Sequence, residues 1–145
     1  MRDINQIIIH CSVTKGDVSA DTIRKWHTDR GWRDIGYHYV IRTDGSIETG
    51  RPIKKAGAHT KGHNKDSIGI CLAGGFDGTT DDFTDEQFES LLVLVAGLRS
   101  IYGALSVYGH NDFTNAKTCP NFNVYNWWLT RRKSLRSAGR RRNER

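Results

Sequence analysis

Two short, continuously apolar runs, INQIIIHCSV at 4–13 and SIGICLAGGF at 67–76, limit the fold more than any other feature of this sequence. Neither run alternates polar with apolar residues, as a strand with one solvent-exposed face does, so both are predicted to be strands buried on both faces. Strands of this kind need helices above and below them. The two runs therefore predict an α/β fold.

Helical signals lie between and after these strands. Residues 19–31 begin with Ser19 in an N-cap position, and residues 84–102 begin with Thr84 and place apolar residues at helical spacing. A closing helix is predicted at 123–133, where two tryptophans would dock it on the domain. Helices thus alternate with strands along the chain.

The remaining segments predict a hairpin, a loop and a last strand. Residues 36–51 are two β-rich runs around Thr-Asp-Gly-Ser, which is typical of a tight hairpin. Residues 52–66 are rich in Gly and Lys without periodicity, which predicts a long surface loop with a function. A short strand at 104–109 would deliver His110. Together these elements predict one α/β domain with a mixed central β-sheet flanked by helices.

The charge is concentrated at one end of the 145 residues. Residues 131–145 hold eight Lys/Arg and one Glu, whereas residues 1–130 carry a net charge of −1. We therefore predict a domain at 1–130 and a basic, flexible tail at 131–145. The tail is either a solvated end or an anchor for a polyanion such as envelope phosphates, anionic lipid or nucleic acid.

Two further properties concern the cellular compartment. The N-terminus MRDINQIIIH lacks the long apolar segment of a secretory signal, so we expect synthesis in a cytoplasm without a self-encoded export route. The three cysteines form no even set, and Cys11 and Cys71 fall inside apolar runs. We expect no structural disulfide.

A metal site is one interpretation of the ionisable residues. A catalytic zinc ion takes three protein ligands and keeps a fourth position for water. His10 and His110 would lie at strand ends, and Cys119 follows nine residues after His110. Spacing alone also allows a satisfied core histidine at position 10 and a buried thiol at position 119. Both interpretations stay open at this point.

Four segments then carry a resemblance to a known family. They are IIIHCSVT, WHTDRGWRDIGYHYVIRTDGSIETGR, GAHTKGHNKDSIGICLAGG and GHNDFTNAKTCPNF. In this order they resemble the zinc-dependent N-acetylmuramoyl-L-alanine amidases of the type-2 amidase family, which includes amidase-type phage lysozymes and peptidoglycan recognition proteins. The resemblance covers about residues 4 to 129 and implies that family's fold.

The resemblance implies a set of site residues. His10, His110 and Cys119 fall where the family places three ligands of one catalytic zinc ion. Tyr37 falls on the family's active-site tyrosine, and Lys117 falls on the lysine of the phage branch. Asn111 departs from the arginine of the common GHRD motif, which puts only a peripheral contact in doubt.

Further residues are assigned to the substrate or to the fold. The resemblance places the loop segment AHTKGHNKDS along the cleft, where His59, Lys61, His63 and Asn64 would bind peptidoglycan, although a solvated loop of lysines is the alternative. Strand alternation turns His38 away from Tyr37, so His38 is expected in the fold. Asp112 either orients a ligand imidazole or caps a turn.

The implied activity is cleavage of the amide between N-acetylmuramic acid and L-alanine in peptidoglycan. A monomeric phage or prophage endolysin acting on the cell wall at lysis is the expected context. A binding module without catalysis is one alternative, although its members typically lack the cysteine ligand that Cys119 supplies. A regulator that binds phage RNA polymerase is another.

Overall fold

The fold is built on a five-stranded sheet. A computed structural model describes the backbone of residues 2–143 and the side chains through residue 135. The strands are β1 (Gln6–Cys11), β2 (Tyr39–Ile41), β3 (Ile47–Thr49), β4 (Ser67–Leu72) and β5 (Ser106–Gly109), in the spatial order β3-β2-β4-β1-β5. β1 pairs in parallel with β4 and β5, β2 pairs in parallel with β4, and only β2 and β3 are antiparallel. The predicted mixed sheet is confirmed.

The two apolar runs form the centre of this sheet. Every residue of β1 and β4 is buried, as their continuous apolar sequences predict. The hairpin of β2 and β3 turns through Gly45, whose φ of 86° is easily adopted by glycine. Residues 52–66, which follow the hairpin, contain neither helix nor strand, in agreement with the predicted loop.

Three helices cover the sheet: α1 (Ala20–Asp29), α2 (Asp85–Tyr102) and α3 (Val124–Asn143). The Ser19 side chain accepts the N–H of Thr22 at the start of α1. Thr84 and Gln87 form a capping box on α2. The buried Gln87 amide also donates to two backbone carbonyls of the sheet region, which fixes α2 to the sheet.

α3 continues past the end predicted at residue 133. Few apolar residues follow residue 133 to continue a helical pattern, but arginine and lysine are good helix formers and no proline interrupts this segment. The proposed tail at 131–145 thus begins inside α3, and its flexibility stays a prediction. No helix in the described part of the chain is long and apolar enough to cross a membrane.

The core has two parts, one on each face of the sheet. The larger part packs α2 and α3 against alternate residues of the central strands, including Ile7, Ile9 and Cys11 of β1. The smaller part packs α1 against Val40 and Cys71. Because neighbouring residues of a strand face opposite sides, His10 lies on the α1 side. Cys11, Cys71 and Cys119 are buried and free.

Candidate metal centre and cleft

His10 is held rigidly near the end of β1. Its side chain is 1% exposed, and its Nε2 lies 2.8 Å from His59 Nδ1 and 3.2 Å from Thr60 Oγ1. These contacts occupy Nε2 and leave Nδ1 as the atom that can bind a metal. Gly69 on β4 makes room for this arrangement, since a Cβ there would lie 2.5 Å from the His59 ring.

His110 and Cys119 come from the loop that follows β5. A 3-10 turn at His110–Asp112 begins the loop, and the Asp112 carboxylate accepts the N–H of Gly109 at 2.9 Å. The N–H of Asn111 donates to the Cys119 carbonyl at 2.9 Å, which brings the two ends of the loop together. Of the two roles considered for Asp112, the structure shows the turn cap.

The three predicted ligands meet at one point. One side-chain donor atom from each of His10, His110 and Cys119 lies within 4.8 Å of the other two. Two imidazole nitrogens and one sulfur are a ligand set that zinc accepts, and its usual bond lengths put tetrahedral ligand atoms roughly 3.3 to 3.8 Å apart. The residues therefore fit a zinc ion with one position open.

The protonation states suit the same role. Burial, followed by the neighbouring imidazoles, holds the pKa of His10 well below its usual value, and burial also lowers the pKa of His110. Both rings are therefore neutral at pH 7, the form that binds metals. Without a cation, contact with the Cys11 thiol and burial raise the pKa of Cys119. The backbone N–H of Cys11 points at this sulfur from 3.0 Å and favours the thiolate that a metal would require.

Tyr37 and Lys117 line the same cavity as the three proposed ligands. The Tyr37 ring is 5.1 Å from the His10 ring, and burial raises the pKa of its hydroxyl well above the usual value, so the hydroxyl keeps its proton. Lys117 is exposed and lines both cavities described next. The site thus combines three ligand atoms with a hydroxyl and a cation.

Two connected cavities form a cleft around this centre. The first, of about 310 Å³, reaches from the metal ligands to α1 and includes Trp26 and His27. The second, of about 600 Å³, extends along the loop at 52–66 and is lined by Lys61 and Asn64. His59, His110 and Lys117 line both cavities. An extended ligand that occupies both cavities can therefore pass next to the three proposed metal ligands.

The predicted substrate residues do not all line the cleft. His59, Lys61 and Asn64 do, although His59 also supports His10. His63 is not among the residues that line either cavity, and its ring packs at 4.3 Å against Phe113, which lines the wider one. The assignment of His63 to the substrate thus stays a prediction.

His38 lies in the fold, as strand alternation predicts. It is 1% exposed, its Nδ1 accepts the N–H of Gly69 at 3.0 Å, and its Nε2 donates to the Lys55 carbonyl at 2.8 Å. Burial lowers its pKa to about 4, so the ring stays neutral. His38 therefore links β4 to the loop at 52–66 through two hydrogen bonds.

Three residues of the site have roles that the sequence did not reveal. Thr60 supports His10, and the Asn111 side chain donates to two carbonyls, of Thr118 and Phe122, that hold the loop closed. His27 Nδ1 accepts the N–H of Gly36, the residue that precedes Tyr37, at 2.9 Å. His27 is one of the buried residues of α1, and helical spacing alone does not indicate its partner.

Comparisons with known proteins identify a family. A family model described as N-acetylmuramoyl-L-alanine amidase matches residues 1–122. The endolysin of Klebsiella phage KP32 is 40% identical over 132 residues, which are 88% of this chain and 87% of the endolysin. The endolysin of Escherichia phage T7 is 42% identical over 127 residues, which are 84% and 83% of the two chains.

Solved structures agree with the sequence comparison. The N-acetylmuramoyl-L-alanine amidase LysC of Clostridium intestinale URNW superposes with a TM-score of 0.75 at 32% identity, over 85% of this chain and 80% of LysC. A complex of tracheal cytotoxin with the peptidoglycan recognition proteins LCa and LCx superposes with a TM-score of 0.74 at 28% identity, over 87% of this chain and 81% of that chain. These TM-scores show that the chain shares its overall fold with both structures.

Proposed function

This chain belongs to the N-acetylmuramoyl-L-alanine amidase family, and on that premise we propose that His10, His110 and Cys119 hold one catalytic zinc ion. The observation that carries the proposal is the meeting of three donor atoms within 4.8 Å, supplied by a buried strand and by both ends of one loop. Zinc, when bound, lowers the pKa of a coordinated water to roughly 7 and polarises a carbonyl.

The substrate of the proposed reaction is peptidoglycan. Hydrolysis breaks the amide between the lactyl carbonyl of N-acetylmuramic acid and the amino group of L-alanine, and water supplies the new carboxylate oxygen. The carbonyl oxygen gains negative charge as the bond is attacked, and the departing amine gains a proton. The chain must therefore offer a donor to the oxygen and a proton to the nitrogen.

Tyr37 and Lys117 are the two groups proposed for these tasks. Both line the cavity that contains the three proposed ligands, Tyr37 as a partly buried side chain and Lys117 as an exposed one. The raised pKa of Tyr37 keeps its hydroxyl protonated, and Lys117 is a cation, so either group can stabilise the carbonyl oxygen while the other passes a proton to the departing amine. Both act at atoms of the substrate, so neither is needed to bind zinc.

The rest of the muramyl peptide is proposed to lie along the two cavities. His59, Lys61 and Asn64 offer polar groups in the wider one, and a lysine there can pair with a carboxylate of the stem peptide. His63 was assigned to the substrate from the sequence, but its contact with Phe113 supports a role in joining the two loops.

Product analysis tests the reaction. Purified protein loaded with zinc should release stem peptides that begin with L-alanine from isolated peptidoglycan, and mass spectrometry would identify them. Release of sugar fragments alone, or of nothing, would overturn the amidase proposal. Binding without release is the outcome that the binding-module alternative predicts.

A phage or prophage endolysin is the biological context that we propose. Relatives that match more than four fifths of this chain are named endolysins, which supports lysis of the host cell wall. Expression in a bacterial host together with a membrane-permeabilising protein should lyse the cells, and Cys119→Ser should not. The polymerase-regulator alternative predicts slower transcription by a phage RNA polymerase, which is a separate assay.

The basic segment at 131–145 is proposed to hold the enzyme on an anionic envelope. Its charge of +7 contrasts with the nearly neutral remainder of the chain. Removing residues 134–145 leaves Val124 and Trp128, the buried anchors of α3, in place. This truncation should keep activity on soluble muropeptides and weaken activity on whole envelopes at low salt. Equal loss on both substrates would contradict a tether, and tight binding to DNA would favour a nucleic-acid partner.

A further inference from the structure

The guanidinium of Arg2 lies between the two ends of the loop at 52–66. Its Nε donates to the Ile53 carbonyl at 2.9 Å. Its Nη1 donates to the Ser67 carbonyl at 2.8 Å and to the Lys65 carbonyl at 3.1 Å, and it also lies 3.4 Å from the Asn64 carbonyl. One side chain near the N-terminus therefore bonds to the backbone at both ends of the loop.

Arginine suits this position for a geometric reason. The guanidinium carries five N–H donors in a rigid plane and no acceptor, so it can serve several carbonyl oxygens in different directions. The backbone that bears Arg2 is itself fixed close by, because the N–H of Asn5 donates to the Asp66 carbonyl at 2.9 Å. The backbone near Arg2 is therefore held in place beside the end of the loop.

The bonded ends are connected to the cleft through Asn64. The Asn64 carbonyl faces Arg2, while its side-chain Oδ1 accepts the N–H groups of His59 and Thr60 at 2.8 and 2.9 Å. His59 and Thr60 are within hydrogen-bond distance of His10 Nε2. A shift of the loop end would therefore move the residues that line the cleft next to the metal ligands.

We propose that Arg2 is a positioning residue for substrate binding. It ties the start of the loop at Ile53 to its end at 64–67, and in this way it holds His59, Lys61 and Asn64 in the shape that lines the wider cavity. The inference rests on the proposed function, because that function gives the loop its substrate. Arg2 itself lies outside both cavities and touches no reacting atom.

Kinetics of three variants test this role on a soluble muropeptide. Arg2→Ala should raise KM roughly 3- to 10-fold and leave kcat within about 2-fold, because loop position changes while the metal ligands stay. Arg2→Lys should resemble Arg2→Ala, since one ammonium cannot serve both ends of the loop. The control is Arg42→Ala, which breaks ion pairs with Asp17 and Glu48 away from the loop and should leave KM unchanged.

Limited trypsin digestion gives a second measurement that does not depend on activity. The loop offers cleavage after Lys54, Lys55, Lys61 and Lys65, and mass spectrometry of the fragments reports each rate. In both Arg2 variants these sites should be cut roughly 10-fold faster relative to the site after Lys25 in α1, which reports unfolding of the whole domain. In Arg42→Ala, the cleavage rates at the loop sites and at the site after Lys25 should change by the same factor.

Three outcomes would overturn the proposal: unchanged KM and loop cleavage in Arg2→Ala, a fall in kcat with KM unchanged, or wild-type behaviour of Arg2→Lys. Failure of the proposed function would look different, because wild-type protein would then release no L-alanine-terminated peptide. Trypsin digestion would still show in that case whether Arg2 holds the loop.

Discussion

The two walls of the cleft hold their metal ligands in different ways. One wall, called the strand wall here, consists of β1 with His10 and of His59 and Thr60, which contact the His10 ring. β1 pairs with a strand on each side. The loop wall, residues 110–120, carries His110 and Cys119, and it is closed by hydrogen bonds from Asn111. His10 is fully buried, whereas His110 is only half-buried.

This difference separates two requirements of a metal site. The strand wall supplies a ligand whose place is determined by the folding of the whole sheet. The loop wall supplies ligands whose places depend on a few local hydrogen bonds and on packing of Phe113 against Tyr108 and His63. A change in the strand wall should therefore affect folding and metal together, while a change in the loop wall should affect the metal alone.

Exchange of each histidine for alanine should give the largest effects. His10→Ala and His110→Ala should both lower amidase activity at least about 1000-fold, because each removes a ligand. In the metal-free state, His10→Ala should also lower the free energy of unfolding by about 2 to 4 kcal/mol, since it leaves a cavity and removes the contacts of His10 with His59 and Thr60. His110→Ala should lower it by less than about 1 kcal/mol.

Urea unfolding in the presence of a chelator, with zinc content measured before chelation, would separate these effects. Cys71→Ala is the matched control for a buried group on the same side of the sheet that does not bind metal, and it should keep its zinc. Equal destabilisation by the two histidine variants would show that the walls do not differ as described.

Loss of Tyr37 or Lys117, the two groups proposed to act on the carbonyl oxygen and the departing amine, should have the next largest effect. Tyr37→Phe and Lys117→Ala should each reduce kcat by about 100- to 1000-fold while zinc content stays at one ion per chain. Tyr37 contacts the ring of the proposed ligand His10. Zinc retention in Tyr37→Phe is therefore the sharper test of whether metal binding and catalysis depend on different residues. Retention of most lytic activity by either variant would remove that residue from the catalytic set.

Asn111 tests how far local bonds maintain the loop wall. Asn111→Ala removes the side-chain bonds to the carbonyls of Thr118 and Phe122, and zinc affinity should fall roughly 10-fold with little change in unfolding free energy. Asn115→Ala, at an exposed position of the same loop, is the control and should bind zinc as the wild type does. A competition titration with a chromophoric chelator measures both affinities, and equal affinities would mean that Asn111 does not brace the ligands.

The sequence predicted the strand wall well because its signals are local. Continuous apolar runs placed β1 and β4 in the middle of the sheet, and an Asp-Gly turn placed the hairpin. Helix starts were marked by Ser19 and Thr84, which both act as caps. The predicted end of α3 was wrong, because a basic segment can continue a helix without apolar residues repeated at helical spacing.

The loop wall was predicted only through the family resemblance. Spacing alone left His10 and Cys119 with ordinary structural explanations. The roles of Asn111 and Arg2 depend on backbone carbonyls that are brought near them by the fold, and carbonyls carry no sequence signal. His63 was assigned to the substrate through the family resemblance of its loop, and its contact with Phe113 depends on the distance between two loops, which the sequence does not indicate.

Lysine substitutions in the loop at 52–66 should have the smallest effect and would extend the comparison to the substrate. Lys61→Ala removes a cation that lines the wider cavity, so KM should rise about 2- to 5-fold with kcat unchanged, the range expected for one partly exposed ion pair. Lys65→Ala removes an equal charge from the same loop outside both cavities and should leave KM unchanged at moderate salt. Steady-state kinetics on a soluble muropeptide compares the two. Equal increases in KM would mean that the loop acts through its overall charge, and the substrate would then be attracted to the loop without a specific contact at Lys61.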